Sequence, residues 1–184
     1  MKRLAILALL ALAAPTAAGS LAGVNLPDSA EVGGQKLVLN GMGLRKKLFI
    51  KVYVAGMYLP AKQGDAAAIL AADAPRRGVM HFIFSVGAEK ICNEGWKEGL
   101  TANTPNASAE LRAKFDTLCS YMEDMADGDE MSFDYVPDAG TAVTVKGKSK
   151  GTIVGKDFSD ALFACWIGPK PGPGADFKKS LLGG

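Results

Sequence analysis

Between residues 36 and 59 apolar and polar positions alternate with a period of two. Lys36 to Leu44 and Leu48 to Leu59 flank the charged triplet Arg45-Lys46-Lys47 and predict a β-hairpin whose second arm is rich in branched and aromatic residues. The alternation returns in Gly78 to Val86, with Met80, Phe82 and Phe84 on one side and Val79, His81, Ile83 and Ser85 on the other. Three shorter runs follow, Met131 to Val136, Thr141 to Lys146 and Gly151 to Val154, broken by turn-forming stretches at Pro137 to Gly140 and Gly147 to Lys150. Elsewhere the period becomes helical. Asp65 to Ala72 predicts a short alanine-rich helix. Ala88 to Asn103 turns Ile91, Cys92, Gly95, Gly99 and Leu100 to one side, and Ser108 to Met125 carries a stripe of Leu111, Phe115, Leu118, Met122 and Met125. Two more helices are predicted over Asp157 to Ile167 and Ala175 to Leu182, separated by the proline and glycine run Pro169 to Gly174. Helices in two blocks, one inserted among the strands and one at the end, predict an α+β domain: an antiparallel sheet covered on one face by helices.

The N-terminus has a different pattern. Met1, Lys2 and Arg3 give a positive start, Leu4 to Ala14 is uncharged and apolar, and Pro15 to Gly23 is small and polar. That three-part layout predicts a secretory signal peptide over residues 1–22, cut after Ala18 or after Ala22, where small residues precede the bond. The apolar run is about 11 residues where a spanning helix needs about 20, so a membrane anchor is not expected. The expected location is the periplasm, with residues 23–184 forming a single domain. Loss of Lys2 and Arg3 takes the basic count from 21 to 19, against 19 acids, so the mature chain is near neutral. Its basic clusters, Arg45 to Lys47 and Lys146 to Lys150, lack interleaved aromatics and read as solvated turns rather than a nucleic-acid surface.

Three cysteines in an exported chain leave at least one thiol unpaired. In an antiparallel pair of helices joined at Thr104-Pro105-Asn106, Cys92 lies 11 residues before Asn103 and Cys119 lies 11 after Ser108, at similar heights above the turn. A Cys92 to Cys119 disulfide is one reading; two buried apolar thiols is the other. Cys165 shares a stripe with Phe158 and Leu162 and has no flanking base, which favours inert packing. The one histidine, His81, has no second histidine with which to share a metal or build a triad, and no metal or cofactor is expected. Gly41-Met42-Gly43 leads into a strand and lacks the third glycine of a dinucleotide loop.

Two stretches resemble a known family. Leu39-Asn40-Gly41-Met42-Gly43-Leu44-Arg45 followed by Ile50-Lys51-Val52-Tyr53-Val54-Ala55-Gly56-Met57-Tyr58-Leu59 is similar to paired strands of the chalcone isomerases and their non-catalytic relatives. Asp160 to Gly168, then Asp176 to Leu182, resembles the end of the same fold. The resemblance implies an open-faced β-sandwich with a ligand cleft between the large sheet and the helices. The plant isomerases use a hairpin arginine, a strand threonine, a helix tyrosine and asparagine, and a C-terminal-helix threonine. Arg45 matches the first, but the threonines fall on Tyr53 and Cys165, and the tyrosine and asparagine fall near Gly87 and Glu94. Oxyanion and acid–base chemistry needs several donors held together, so the resemblance implies little isomerase activity here.

A second branch of the family binds fatty acids, with an arginine and a tyrosine holding the carboxylate, and Arg45 and Tyr53 match that pair in type. Eight residues of extended strand separate them by about 26 Å, so they can share a ligand only if the chain reverses just after Arg45. The expected function is therefore non-catalytic binding of a small amphipathic ligand, a fatty acid first, with Arg45, Tyr53, Cys165 and Trp166 as candidate ligand-binding residues and Trp96, Phe82, Phe84 and Phe163 as core or apolar lining. The alternatives are an intramolecular lyase or isomerase of chalcone type and an envelope interaction module without a small ligand. The sequence names no protein partner.

Overall fold

The structure, a computed structural model, describes residues 17–184. Most of the expected signal peptide lies outside the described residues. Strands β1 Ala17–Leu21 and β2 Val24–Pro27 pair as a small hairpin. Strands β3 Ser29–Val32, β4 Gln35–Lys47, β5 Ile50–Leu59, β6 Arg76–Phe82, β7 Glu130–Val136, β8 Gly140–Val145 and β9 Lys148–Ile153 form a seven-stranded antiparallel sheet in which every strand lies beside its neighbours in sequence. Between β5 and β6 lies α1 Ala66–Ala71, capped by the Asp65 carboxylate accepting from the amides of Ala67 and Ala68. Between β6 and β7 come α2 Ala88–Lys90, a π-helical segment Ile91–Lys97, α3 Glu98–Asn103 and, after the Thr104-Pro105 turn, α4 Ala109–Ser120. The chain ends with α5 Lys156–Ile167 and α6 Ala175–Leu181.

Alternation along the strands divides the apolar residues between two cores. Met57, Met80, Phe82, Met131, Phe133 and Val143 face the helices and meet Trp96, Phe115, Phe158 and Trp166. On the opposite face Leu37, Leu39, Val54, Tyr58 and Val79 pack with Val24 and Leu26 of the small hairpin. The helices cover one face, as the pattern predicts. The hairpin and β3 on the other side are a finding of the structure, because those segments are too short and too rich in small residues to alternate visibly.

The alternate glycines of the Asn40 to Gly43 stretch have a packing reason. A Cβ at Gly41 would fall 2.2 Å from the Ser180 carbonyl oxygen, and one at Gly43 would fall 2.8 Å from the Phe177 ring, so α6 can lie on β4 only where side chains are missing. Asn40 fixes that contact: its buried amide donates to the carbonyls of Leu181 (2.8 Å) and Gln63 (3.0 Å), and its oxygen accepts from the Gln63 amide.

Several boundaries differ from the sequence expectation. Helix α4 stops at Ser120, short of Met122 and Met125, and β9 starts at Lys148, inside the stretch expected to turn. The β4–β5 hairpin turns at Leu48-Phe49, so Arg45, Lys46 and Lys47 belong to the strand. Leu48 takes a left-handed φ of 55° without being glycine or asparagine, which is why no turn signal marked it. Strand β6 ends at Phe82, and Val86 makes only an isolated bridge to Met125. The predicted helix from Ala88 is interrupted by the π segment, which side-chain periodicity does not reveal.

Candidate functional site

The sheet and the helical layer separate at one end to leave a cleft of about 540 Å³. One wall is the end of the β4–β5 hairpin with Met80, Phe82 and Phe84; the other is the π segment with Ile91, Glu94 and Trp96; Cys165 and Trp166 of α5 also line the cavity. Pockets of this volume with mostly apolar walls and a few polar groups suit small organic ligands.

Reversal at Leu48-Phe49 settles the distance between the two candidate anchors. Arg45 and Tyr53 are direct cross-strand partners, and both line the cleft. The Arg45 guanidinium donates through Nη1 to the Gly172 carbonyl oxygen at 2.8 Å, bracing the hairpin against the loop between α5 and α6. A guanidinium has five N–H donors, so that bond leaves capacity for a ligand. Tyr53 packs on Phe82, with ring centroids 5.6 Å apart, and edge-on to Phe177 at 6.0 Å. Burial pushes its phenol well above the ordinary tyrosine range; nearby Arg45 and a hydrogen bond from Trp166 offset only part of that. The hydroxyl therefore stays protonated as a donor throughout the neutral range.

Trp166 is both core and lining. It is 3% exposed and packs against Trp96, Phe133, Phe163 and Phe177. The Trp96 indole donates to the Met122 sulfur at 3.3 Å. Phe163 sits deeper in the core, whereas Phe84 is 47% exposed at the cleft and is not a core residue. Cys165 is buried, its thiol directed to the Ala161 carbonyl oxygen, and burial pushes it from 9.0 up to about 12. It is expected to resist iodoacetamide in the native protein and to react fully after unfolding; rapid native labelling would contradict that. Both raised groups act on stability in the same direction. Each holds its proton more tightly folded than unfolded, so stability is complete at neutral pH and declines as pH rises above about 9, where the unfolded thiol and then the phenol ionise. Denaturant midpoints between pH 7 and 11 check this, and a midpoint that rises would contradict it.

Cys92 and Cys119 are joined as a disulfide with Cα atoms 5.1 Å apart, tying the π segment to α4 behind the cleft wall. The other two positions that align with plant catalytic residues, Gly87 and Glu94, line the same cavity. Glu94 does more than occupy a position: Lys47 donates to it at 2.6 Å, a link from hairpin to helix that lowers the Glu94 carboxyl pKa. Neither the ion pair nor the π segment was legible from residue spacing. His81 stands on the sheet face away from the helices, 3.1 Å from Glu130. Among the described residues, no cluster of three or more histidine, cysteine or acidic side chains is placed to hold a metal ion, and no helix is long and apolar enough to cross a membrane.

Fold and cleft together define an α+β protein of the open-faced sandwich class with a cavity between its layers. The sequence profile of the family described as chalcone isomerase-like matches residues 18–183, and the chain belongs to that family. Among solved structures it is similar to a fatty-acid binding protein of Arabidopsis thaliana, with a TM-score of 0.66 over 87% of this chain and 92% of that one, at 18% identity. No curated protein matches by sequence.

Proposed function

We propose that this protein is an exported, non-catalytic binder of a small amphipathic ligand, a fatty acid in the first instance. The observation that carries the reading is the pairing of Arg45 with Tyr53 across the hairpin, inside an apolar cleft. A guanidinium and a neutral phenol supply charge-assisted and neutral hydrogen bonds to a carboxylate. Aromatic and aliphatic walls take the acyl chain, at about 0.8 kcal/mol for each methylene buried. The described fatty-acid binding neighbour of the same fold supports the class of ligand.

Native mass spectrometry of the purified protein, before and after incubation with free fatty acids, tests this. A lipid-sized adduct is expected on the wild type. Arg45→Ala should weaken it about 10- to 100-fold, the loss of a hydrogen-bonded charge, and Tyr53→Phe about 3- to 10-fold. No adduct under either condition would overturn the reading. The Lys47–Glu94 pair is exposed, so Glu94→Gln should scarcely move the melting temperature. Because the pair joins the two sides of the cleft, the same change should speed ligand release several-fold in stopped-flow displacement; an unchanged rate would show that the pair does not hold the cleft closed.

Export also makes a positional prediction. Gly19 packs so closely on β4 that a Cβ there would fall 2.3 Å from the Met42 sulfur, and Ser20 and Leu21 pair with Asn25 and Val24. Cleavage after Ala18 keeps that cover over the second core, and cleavage after Ala22 discards it. N-terminal sequencing of the mature protein is expected to begin at Gly19; a start at Gly23 would contradict this.

A further inference from the structure

The tip of the β4–β5 hairpin runs against what water would select. Six consecutive residues, Lys46 to Lys51, are exposed, with Leu48 at 88%, Phe49 at 100% and Ile50 at 47%. A tight hairpin turn in water is best served by asparagine and glycine, whereas this one places a leucine at a φ of 55° and a phenylalanine wholly in solvent. The flanking residues are as poorly matched to a plain hairpin. Lys46 and Lys51 are direct cross-strand partners, a like-charged pair that weakens strand pairing. Of the tip lysines, Lys47 is neutralised by Glu94, and Lys46 and Lys51 carry no ion pair among the described residues. Leu48, Ile50 and Phe84 belong at once to this exposed patch and to the cleft lining, so the apolar surface runs from the tip into the cavity. Lys90, also exposed, adds a cation on the helical side of the cleft.

An apolar point ringed by unpaired lysines matches one kind of surface, hydrocarbon lying beneath a layer of negative charge. We propose that the β4–β5 hairpin tip docks this protein on an anionic lipid bilayer, with Leu48 and Phe49 inserted at the headgroup–acyl boundary and Lys46 and Lys51 against anionic headgroups. In that pose the cleft opens toward the membrane. An amphipathic ligand then passes between bilayer and cavity along Leu48, Ile50 and Phe84 without its chain crossing water. The docking stands on the tip alone, and only its purpose rests on the acyl-binding reading. With one short apolar insertion and two free cations, attachment is reversible and weakens with salt.

The test is co-sedimentation of the mature protein with vesicles of phosphatidylcholine alone and of phosphatidylcholine containing about one-third phosphatidylglycerol, comparing variants that differ only at the tip. Phe49, Lys46 and Lys51 lie outside the cleft lining. Wild type is expected to bind the anionic vesicles preferentially. Phe49→Ser should lower the partition coefficient on the order of tenfold, and Lys46→Gln with Lys51→Gln about twenty-five-fold at low salt, about fivefold for each charge. All variants should keep wild-type affinity for a soluble fatty acid. In a Phe49→Trp variant, tryptophan emission should shift to the blue on adding anionic vesicles and be quenched by brominated lipid. Equal sedimentation of wild type and tip variants, or no sedimentation of any, would overturn docking while leaving acyl binding intact; vesicle binding that depends on the tip in a protein unable to take up fatty acid would overturn the cleft reading instead.

Discussion

Asp160→Ala is expected to destabilise the protein by about 3 to 5 kcal/mol, a large share of the stability of a domain of this size. The reason is Arg76, which is 1% exposed at the start of β6. Its guanidinium donates to the Asp160 carboxylate, to the Ser159 hydroxyl at 3.1 Å and to the Ile69 carbonyl oxygen at 3.0 Å, and it lies over the rings of Tyr135 and Phe163. Removal of the carboxylate leaves a buried cation with neutral partners only, and an unpaired buried charge is among the few single changes this costly. Lys156, which also binds Asp160, is no substitute, since it carries the same sign as Arg76. Replacing both members, as Arg76→Met with Asp160→Leu, should recover most of the loss, because an apolar pair has no charge to desolvate. Denaturant unfolding followed by tryptophan fluorescence measures both effects; a loss below about 1 kcal/mol for Asp160→Ala would show that Arg76 finds other compensation. The consequence reaches the cleft, since this cluster seats α5 on the sheet and α5 carries Cys165 and Trp166 into the cavity.

Loss of the Cys92–Cys119 disulfide has the second large effect. The two residues are 27 apart in sequence, and closing a loop of that length restricts the unfolded chain by about 3.5 kcal/mol. The paired variant Cys92→Ala with Cys119→Ala should lose about that much, and its fatty-acid affinity should fall as well, because the bridge backs the helical wall that carries Glu94 and Trp96. Alkylation of the unfolded, unreduced protein checks the bond itself: one labelled thiol, Cys165, is expected, and three would contradict it. A structural disulfide also requires an oxidising compartment, which joins this prediction to export.

Much of the fold was legible because its signals are periodic. Strands β7 and β8 and helix α4 bury mainly one side each, and their alternation of period two or stripe of period 3.6 survives in the residue order; β5 and α5, buried on nearly every side, show instead as runs rich in apolar residues. What was not legible depends on contacts distant in sequence or on backbone conformation. The turn at Leu48-Phe49 contains no turn-forming residue, so the charged triplet beside it was the more natural loop. That shift of a few residues decides the site, because it makes Arg45 a strand residue facing Tyr53. The π segment adds no compositional mark of its own, yet it carries Glu94 to Lys47. Arg76 and Asp160 are 84 residues apart, and nothing local to either predicts their pairing. Asn40 and its glycines were visible as a motif, but the reason for them, α6 lying against bare backbone, exists only in the packed structure.

Carboxylate capture by Arg45 and Tyr53 is the central claim, and the most direct test compares a fatty acid with the alcohol of the same chain length, by titration calorimetry, on wild type and on Arg45→Ala. The two ligands share their apolar contacts and differ only at the head. Wild type is expected to bind the acid at least about tenfold more tightly than the alcohol, and the preference is expected to disappear in Arg45→Ala. Equal affinity of wild type for acid and alcohol, or a preference that survives the loss of Arg45, would contradict it.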